Sequence, residues 1–340
     1  MSVIKKAFIT KGEIIMILRL GHVEILVTDL EKSRAFYVDV LGFVEHLKTD
    51  KHVYLRGIEE FDIYTLVLTQ SETAGLGHFG LRVSSEEALD EMIEMHKELG
   101  IKYKVVPAGT ELGQGRALRV VDPSGIPVEF YHEFEQLNVS DSNGYVQTLP
   151  HRMSHTYKGI TPLRIDHMNM RVPDVNEALK YWGDKLHFSI SECVEMENGD
   201  LFAAWTRRFP TTHDVALTYN KDGAAMHHFS YLVASSAEII KAADLLADSG
   251  YRHAIDFGPG RHGATNAFFL YVTDPDGNRL EIYTGDYVRD LDREPLKWTL
   301  EQYVEKGRLW WNNDYVPERF MINMPVNKKW LEDTPTPQKA

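Results

Sequence analysis

The segment "LRIDHMNMRVPDVNEALKYWGDKLHF", residues 163–188, decides the fold, because "LRLGHVEILVTDLEKSRAFYVDVLGF", residues 18–43, repeats its pattern. Each segment reads as an alternating strand, a turn containing aspartate and an amphipathic helix. The same order recurs in "LGHFGLRVSSEEALDEMIEMHKELGI" (76–101) and "MHHFSYLVASSAEIIKAADLLADSGY" (226–251). About three short strands, bounded by Gly, Pro, Asn and Asp, are predicted after each helix. The chain therefore contains four predicted βαβββ modules.

Pairing of the modules predicts an α+β protein in which two paired-module domains are built on curved mixed sheets. The predicted parts are an N-terminal extension (1–17), an N-terminal domain (18–134), a linker (135–162), a C-terminal domain (163–286), and a C-terminal helix and tail (287–340). The helix and tail are predicted to cover the functional site of the protein. The tail's predicted helix is "EPLKWTLEQYVEKGRLWW", residues 294–311.

Composition limits the classes of partner. A chain of 340 residues with 43% hydrophobic residues can bury two cores. Its net charge of -13 argues against a nucleic-acid surface, which is normally basic. The single cysteine, Cys193, cannot form an internal disulfide, and the apolar run "IIMIL" (14–18) is too short to span a membrane. We expect a cytoplasmic protein with a small-molecule partner, and no nucleic-acid or membrane partner.

Four histidines become equivalent when the modules are aligned, each opening the first strand of its module: His22, His78, His167 and His228. Strand alternation in "DHMNMRV" places His167, Asn169 and Arg171 on one face. Neighbouring residues of a strand point to opposite faces, so only one histidine of "HHFSY" can join them. The repeat selects His228.

The segment "YVTDPDGNRLEIY", residues 271–283, predicts a hairpin with a type I turn. Gly277 is expected in the left-handed conformation as a bulge, which sets the pairing of the two strands. Counting outward from the turn, Tyr271 lies opposite Glu281 on the same face. The equivalent hairpin of the first half places Arg119 opposite Glu129.

This difference distinguishes the two halves, since each contains two equivalent histidines and a glutamate. In the first half a salt bridge from Arg119 would compete with a metal for Glu129. In the second half the neutral phenol of Tyr271 leaves Glu281 free. Two imidazoles and a carboxylate with open positions are the ligand set of non-haem Fe(II) enzymes, and Mn(II) suits the same ligands. A closed zinc site would require a fourth ligand or thiolates.

Two further histidines are candidates for proton transfer, because imidazole titrates near neutral pH. His213 lies in "TTHDVALTY", and His262 lies in the loop "GPGRHGATN". The glycines of this loop also match a dinucleotide fingerprint, but that motif requires a helix after it. The following "NAFFLYV" is rich in aromatic residues and predicts a strand instead.

Seven ordered motifs resemble the type I extradiol catechol dioxygenases of the vicinal oxygen chelate superfamily, which have a glyoxalase-like fold. The motifs are "DHMN", "AAWTRR", "HDVALT", "MHHF", "GPGRHG", "NAFFLYVTDPDGNRLEIYTGD" and "RLWWNN". The resemblance implies His167, His228 and Glu281 as Fe(II) ligands and His213 as the acid–base residue. It further implies that Asn169, His262 and Tyr271 hydrogen-bond the substrate or oxygen intermediates, and that Trp205 forms a pocket wall. A metal-free first half and a homotetramer are also implied.

The implied reaction inserts O2 into a catechol and gives a 2-hydroxymuconic semialdehyde. The branch that cleaves 3,4-dihydroxyphenylacetate has an arginine before the "GPGRHG" loop that contacts the substrate carboxylate, where this chain has Phe257. Arg308 matches another basic position of that branch, and the resemblance implies that Phe257 and Arg308 both contact the substrate. Losing such a contact costs about 2–5 kcal/mol, which favours catechol or an alkylcatechol. The alternatives are 3,4-dihydroxyphenylacetate and, more distantly, a metal-dependent isomerase or lyase, or a binding protein without turnover.

Overall fold

The computed structural model describes residues 17–137, 157–311 and 316–333. Most of the predicted N-terminal extension (1–16), the middle of the predicted linker (138–156) and the last residues (334–340) lie outside these ranges. None of the described helices is long and apolar enough to cross a membrane.

The first two modules form one mixed sheet of eight strands. Its elements are β1 (Ile17–Val27), α1 (Leu30–Arg34, continued by a π-helical turn, Ala35–Leu41), β2 (Val44–Lys48), β3 (His52–Arg56), β4 (Leu66–Gln70), β5 (Gly75–Val83), α2 (Glu86–Glu98), β6 (Tyr103–Val106), β7 (Ala117–Val121) and β8 (Pro127–Tyr131). The strand order is β2-β3-β4-β1-β5-β8-β7-β6. The antiparallel pair β1 and β5 joins the two modules at the centre.

The third and fourth modules, with one added strand from the C-terminal segment, form a nine-stranded sheet. Its elements are β9 (Arg164–Val172), α3 (Val175–Trp182), β10 (Ser189–Glu195), β11 (Leu201–Arg207), β12 (Val215–Tyr219), β13 (Ala225–Leu232), α4 (Ser236–Asp248), a 3-10 turn (Arg252–Ala254), β14 (Ile255–Arg261), β15 (Phe268–Thr273), β16 (Arg279–Thr284) and β17 (Leu296–Thr299). The order is β14-β15-β16-β13-β9-β12-β11-β10-β17. The predicted α+β fold with four βαβββ modules is confirmed.

The aspartates of the repeated turns begin the first helix of each half. Asp29 accepts a hydrogen bond from the backbone N–H of Lys32 at 3.1 Å, and Asp174 accepts one from Glu177 at 3.0 Å. Each satisfies an N–H group that the first turn of a helix leaves without a partner. The repeated turn seen in the sequence is therefore an N-terminal cap.

Alternation along the strands separates an apolar face from a polar face. Met168 and Met170 of β9 join the main core, together with Phe229 of β13 and Trp182 of α3. Burial of each such side chain stabilises the fold by about 1.5–3 kcal/mol. The intervening residues of β9 point to the opposite face. The helices and the apolar face thus leave the other face of each sheet available for polar clusters.

Two details of the sequence prediction are corrected. The stretch predicted as a helix over 294–311 begins as β17, which pairs in parallel with β10, and is helical only over Leu300–Gln302 and the π-helical turn Tyr303–Gly307. A capping box at Thr299 starts this helix. The pairing of β17 with a distant edge strand outweighs the local helical pattern. The equivalent histidines also lie within their strands and do not open them. The remaining helices are a 3-10 turn (Glu318–Met321) and α5 (Trp330–Asp333).

Candidate metal centre

Three adjacent strands of the second sheet bring His167 (β9), His228 (β13) and Glu281 (β16) together. The Nε2 atoms of the two histidines lie 3.2 Å apart. Glu281 Oε2 lies 2.8 Å from His167 Nε2 and 3.2 Å from His228 Nε2. All three side chains are buried, and one ligand atom from each lies within 4.8 Å of the others. They form a group that could hold a metal ion.

The hairpin that carries Glu281 has the predicted register. The N–H of Asp274 donates to the carbonyl of Asn278 at 2.9 Å. Gly277 has a φ of 89°, a left-handed conformation that is unfavourable for a residue with a side chain. Tyr271 of β15 is directly opposite Glu281 of β16. The bulge at Gly277 therefore sets which residue faces the carboxylate.

The charges of the three side chains fit a cation between them. Burial alone would raise the pKa of Glu281, but His228 and hydrogen bonds from both histidines hold that pKa well below its usual range. Glu281 Oε1 is buried and accepts no hydrogen bond, and its nearest basic neighbour is His262 Nε2, 3.4 Å away. His167 Nδ1 donates to Asp166 Oδ2 at 2.8 Å, which fixes the ring so that Nε2 faces the cluster. An ionised carboxylate with a free oxygen beside two imidazole nitrogens is a donor set for a divalent metal.

Metal binding should release about one proton per chain near pH 7. Burial disfavours protonation of His167, but its hydrogen bonds to Asp166 and Glu281 outweigh burial and raise its pKa to about 9. Burial lowers the pKa of His228 to about 4, so this ring is already neutral. Below pH 9 the metal must displace the proton on His167, and above pH 9 the release should disappear. Titration calorimetry in buffers of different ionisation enthalpy measures this number, and a release that does not change across pH 7–10 contradicts the assignment.

A pocket of about 370 Å³, its open mouth included, lies against the cluster. Five of the other residues predicted for the site line it: Asn169, Trp205, His213, His262 and Tyr271. Five lining residues were not predicted: Ala264, Thr265, Tyr283, Tyr303 and Gly307. Backbone bonds from Gly263 and Ala264 to the carbonyl of Gly307, both 2.9 Å, join this loop to the C-terminal segment. Such loop contacts have no periodic pattern in the sequence that could predict them.

His213 lies closest to the candidate ligands. Its ring centroid is 3.9 Å from that of His167. Burial, and next the neighbouring His167, lower the pKa of His213 well below its usual range. A neutral imidazole at physiological pH has a free nitrogen lone pair, so this side chain can accept a proton.

His262, just after β14, and Tyr271 of β15 form a hydrogen-bonded pair beside the pocket. His262 Nδ1 donates to the carbonyl of Arg308 at 2.5 Å, so in the neutral ring Nε2 must be an acceptor. The Tyr271 hydroxyl, 3.1 Å from that Nε2, is then the donor. The oxygen lone pairs of Tyr271 remain available to a ligand.

Phe257 and Arg308, both predicted to contact substrate, are not among the lining residues. The ring of Phe257 packs in an aromatic cluster behind the pocket, with centroids 4.8 Å from Phe320 and 6.3 Å from Tyr271. The guanidinium of Arg308 lies over the ring of Tyr303 at 5.7 Å. Each of the two residues therefore contacts a residue that lines the pocket, Tyr271 or Tyr303, and not the pocket itself.

In the equivalent cluster of the first half, neighbouring side chains already donate hydrogen bonds to the carboxylate. The Nε2 atoms of His22 and His78 lie 3.0 Å apart, and Glu129 Oε2 is 3.7 and 3.8 Å from them. Arg119 Nε donates to Glu129 Oε1 at 2.7 Å, as predicted, and Gln114 Nε2 donates to Oε2 at 2.6 Å. Both carboxylate oxygens of Glu129 therefore accept hydrogen bonds, whereas only Oε2 of Glu281 does.

Residues 19–130 and 164–282 match the Glyoxalase/Bleomycin resistance protein/Dioxygenase superfamily. The chain belongs to this superfamily and, within it, to the extradiol ring-cleaving dioxygenases.

Relatives with assigned activities are similar over nearly the full length. A manganese-dependent 2,3-dihydroxybiphenyl 1,2-dioxygenase from Geobacillus genomosp. 3 is 32% identical, covering 88% of this chain and 96% of the relative. A metapyrocatechase from Geobacillus stearothermophilus is 28% identical over 92% and 94%. The structure of homoprotocatechuate 2,3-dioxygenase from Brevibacterium fuscum with 3,4-dihydroxyphenylacetate has a TM-score of 0.84 and 37% identity, covering 92% and 93%.

Proposed function

We propose that this protein inserts O2 into catechol or an alkylcatechol and gives a 2-hydroxymuconic semialdehyde. His167, His228 and Glu281 would hold the metal, Fe(II) or Mn(II). The single observation that carries the proposal is the buried group of His167, His228 and Glu281, whose ligand atoms converge in a pocket that also contains His213. A manganese-dependent relative keeps Mn(II) as an alternative to Fe(II).

When bound, the metal would bring catechol and O2 together and pass electrons between them, which avoids the slow direct reaction of triplet O2 with a closed-shell ring. Three protein ligands leave positions open for the two catechol oxygens and O2. His213, with its lowered pKa, accepts the proton of a catechol hydroxyl and later returns it to an oxygen atom that comes from O2. Tyr271, His262 and Asn169 hydrogen-bond the bound molecules, and Trp205 forms a wall.

The test uses protein reconstituted with Fe(II) or Mn(II) without oxygen, then given catechol and air. We expect oxygen uptake together with a yellow ring-cleavage product. An isomerase or lyase of the same fold, or a binding protein, would consume no oxygen with any catechol. The homotetramer and the cytoplasmic location remain predictions, which a solution mass measurement and cell fractionation would test.

A second candidate substrate is 3,4-dihydroxyphenylacetate, favoured by Arg171. This residue follows Asn169 on the same face of β9, beyond the residues that line the pocket, and burial lowers its pKa to about 10. Its Nε donates to Asn323 Oδ1 at 3.1 Å, and no carboxylate in the described part of the chain forms an ion pair with it. A partly buried arginine without an anionic partner is stabilised by an anionic ligand. The carboxylate of 3,4-dihydroxyphenylacetate would supply that charge.

Arg171→Met should separate the two substrates. If Arg171 pairs with a substrate carboxylate, kcat/KM for 3,4-dihydroxyphenylacetate should fall about 30-fold or more, since such a contact contributes about 2–5 kcal/mol. For catechol, which has no carboxylate, kcat/KM should remain near the wild-type value. Steady-state oxygen uptake with both substrates measures the difference. Equal losses for both would exclude a role in recognising the carboxylate.

A further inference from the structure

His213 is hydrogen-bonded at the ring nitrogen that does not serve the pocket. The Oγ1 of Thr212, the preceding residue, lies 3.0 Å from His213 Nδ1. The same Oγ1 lies 3.2 Å from Asp286 Oδ2, which also accepts the backbone N–H of Thr212 at 3.1 Å. Thr212 is fully buried, whereas Asp286 is partly exposed. The three side chains form a chain of hydrogen bonds from the pocket toward the surface.

The number of protons available to these three hydrogen-bonded side chains determines the tautomer of His213. A threonine hydroxyl has one proton, and an ionised carboxylate can only accept hydrogen bonds. The Thr212 proton therefore goes to Asp286, where the bond is charge-assisted. Thr212 Oγ1 can then only accept from His213, so Nδ1 carries the ring proton. The Nε2 lone pair is left for the pocket.

The neighbouring hydroxyl does not disturb this assignment. The Tyr283 hydroxyl lies 3.3 Å from Thr212 Oγ1 and has a proton of its own to donate. It can donate to the threonine oxygen or to the carboxylate without requiring the threonine proton. Asp286 also follows β16, the strand that carries Glu281, so the chain connects His213 to the strand of a candidate metal ligand.

We propose that Thr212 and Asp286 are positioning residues that hold His213 in the Nδ1–H tautomer, with Nε2 directed at the substrate hydroxyl. This proposal rests on the proposed function, because it concerns the base that ionises the catechol. Without the threonine oxygen, Nδ1 loses the one acceptor that the described residues give it. The ring then populates the tautomer in which Nε2 carries the proton and cannot accept another.

The test compares Thr212→Val, Thr212→Ser and Asp286→Ala with wild type. In Thr212→Val and Asp286→Ala, kcat should fall roughly 10–100-fold, part of the contribution of a general base, while metal content and KM stay near wild type. Thr212→Ser keeps the hydroxyl and should retain kcat. Thr206→Val is the matched control, because it also removes a buried threonine hydroxyl, but that hydroxyl donates to the carbonyl of Val215 at 2.6 Å and not to His213.

A spectroscopic measurement tests the base directly. 4-Nitrocatechol changes colour as its hydroxyls ionise, so its spectrum on the metal-loaded protein without oxygen reports how many protons the site has removed. The wild-type protein and Thr212→Ser should give a more ionised ligand than Thr212→Val or Asp286→Ala.

The outcomes separate two failures. If the wild-type protein consumes no oxygen with any catechol, the proposed function fails. If it turns over, the positioning proposal is overturned by wild-type kcat and spectra in both Thr212→Val and Asp286→Ala, or by an equal loss in Thr206→Val. Should Thr212→Val not fold, Asp286→Ala and Thr212→Ser still decide the matter.

Discussion

Replacing Glu281 with glutamine should remove the metal and lower the rate of ring cleavage by about 10³-fold or more. This loss exceeds the roughly 10–100-fold loss that is typical when a residue that only contacts a metal ligand is changed. Glu281 is the only anionic member of the cluster of candidate ligands, and its two histidine neighbours hold it ionised. A neutral amide has the same shape but supplies no charge to balance a divalent cation. Metal content after dialysis and oxygen uptake with catechol measure the two effects.

The matched control for this change is Glu129→Gln in the first half. Glu129 occupies the equivalent place, but its oxygens are bonded to Arg119 and Gln114. Glu129→Gln should lose stability, because the buried Arg119 loses one of its ionic partners and keeps Glu111, yet the variant should retain one metal per chain and its turnover. The assignment of the metal to the second half fails if Glu281→Gln keeps its metal, or if Glu129→Gln loses it.

The part of the site on regular strands could be predicted from the sequence. Alternation and the repeat alignment selected His167 and His228, and the turn chemistry around Gly277 set the register of Glu281. These features depend on local rules, a period of two and a left-handed glycine, which four similar modules display repeatedly. The sequence also predicts that Arg119 lies opposite Glu129 and that Tyr271 lies opposite Glu281, because the register of each hairpin alone determines these pairs.

The rest depended on contacts between distant segments. Thr265, Tyr303 and Gly307 reach the pocket from loops and from the C-terminal segment, whose place is set by β17 pairing with the edge strand β10. No local periodicity encodes such a pairing, so the segment was predicted as helix throughout. Phe257 pairs directly with Tyr271, yet its ring packs in the aromatic cluster with Phe269 and Phe320 and does not line the pocket, which no local rule predicts. The bond from Thr212 to Asp286 joins residues separated by 74 positions.

Replacing His213 with asparagine should leave metal binding intact and lower kcat by roughly 10²–10⁴-fold, the usual contribution of a general acid–base residue. His213 lies beside the candidate ligands but is not one of them, so its loss removes proton transfer and keeps the charge of the metal site. Because burial and His167 hold the pKa of His213 well below its usual range, the wild-type base should remain unprotonated as the pH falls from 8 to 6. The wild-type kcat should therefore show no loss from this group in that interval.

A matched control is His96→Asn, which also removes a buried histidine. His96 is bonded to the carbonyl of Met92 and to the hydroxyl of Tyr181, both at 2.7 Å, far from the pocket. This variant should unfold more easily, by about 1–3 kcal/mol for the partners left unsatisfied, and turn over at the wild-type rate. If His213→Asn retains its metal and also turns over at the wild-type rate, another group must move the catechol proton. If it loses the metal as Glu281→Gln does, His213 supports the metal site, and the acid–base assignment is wrong.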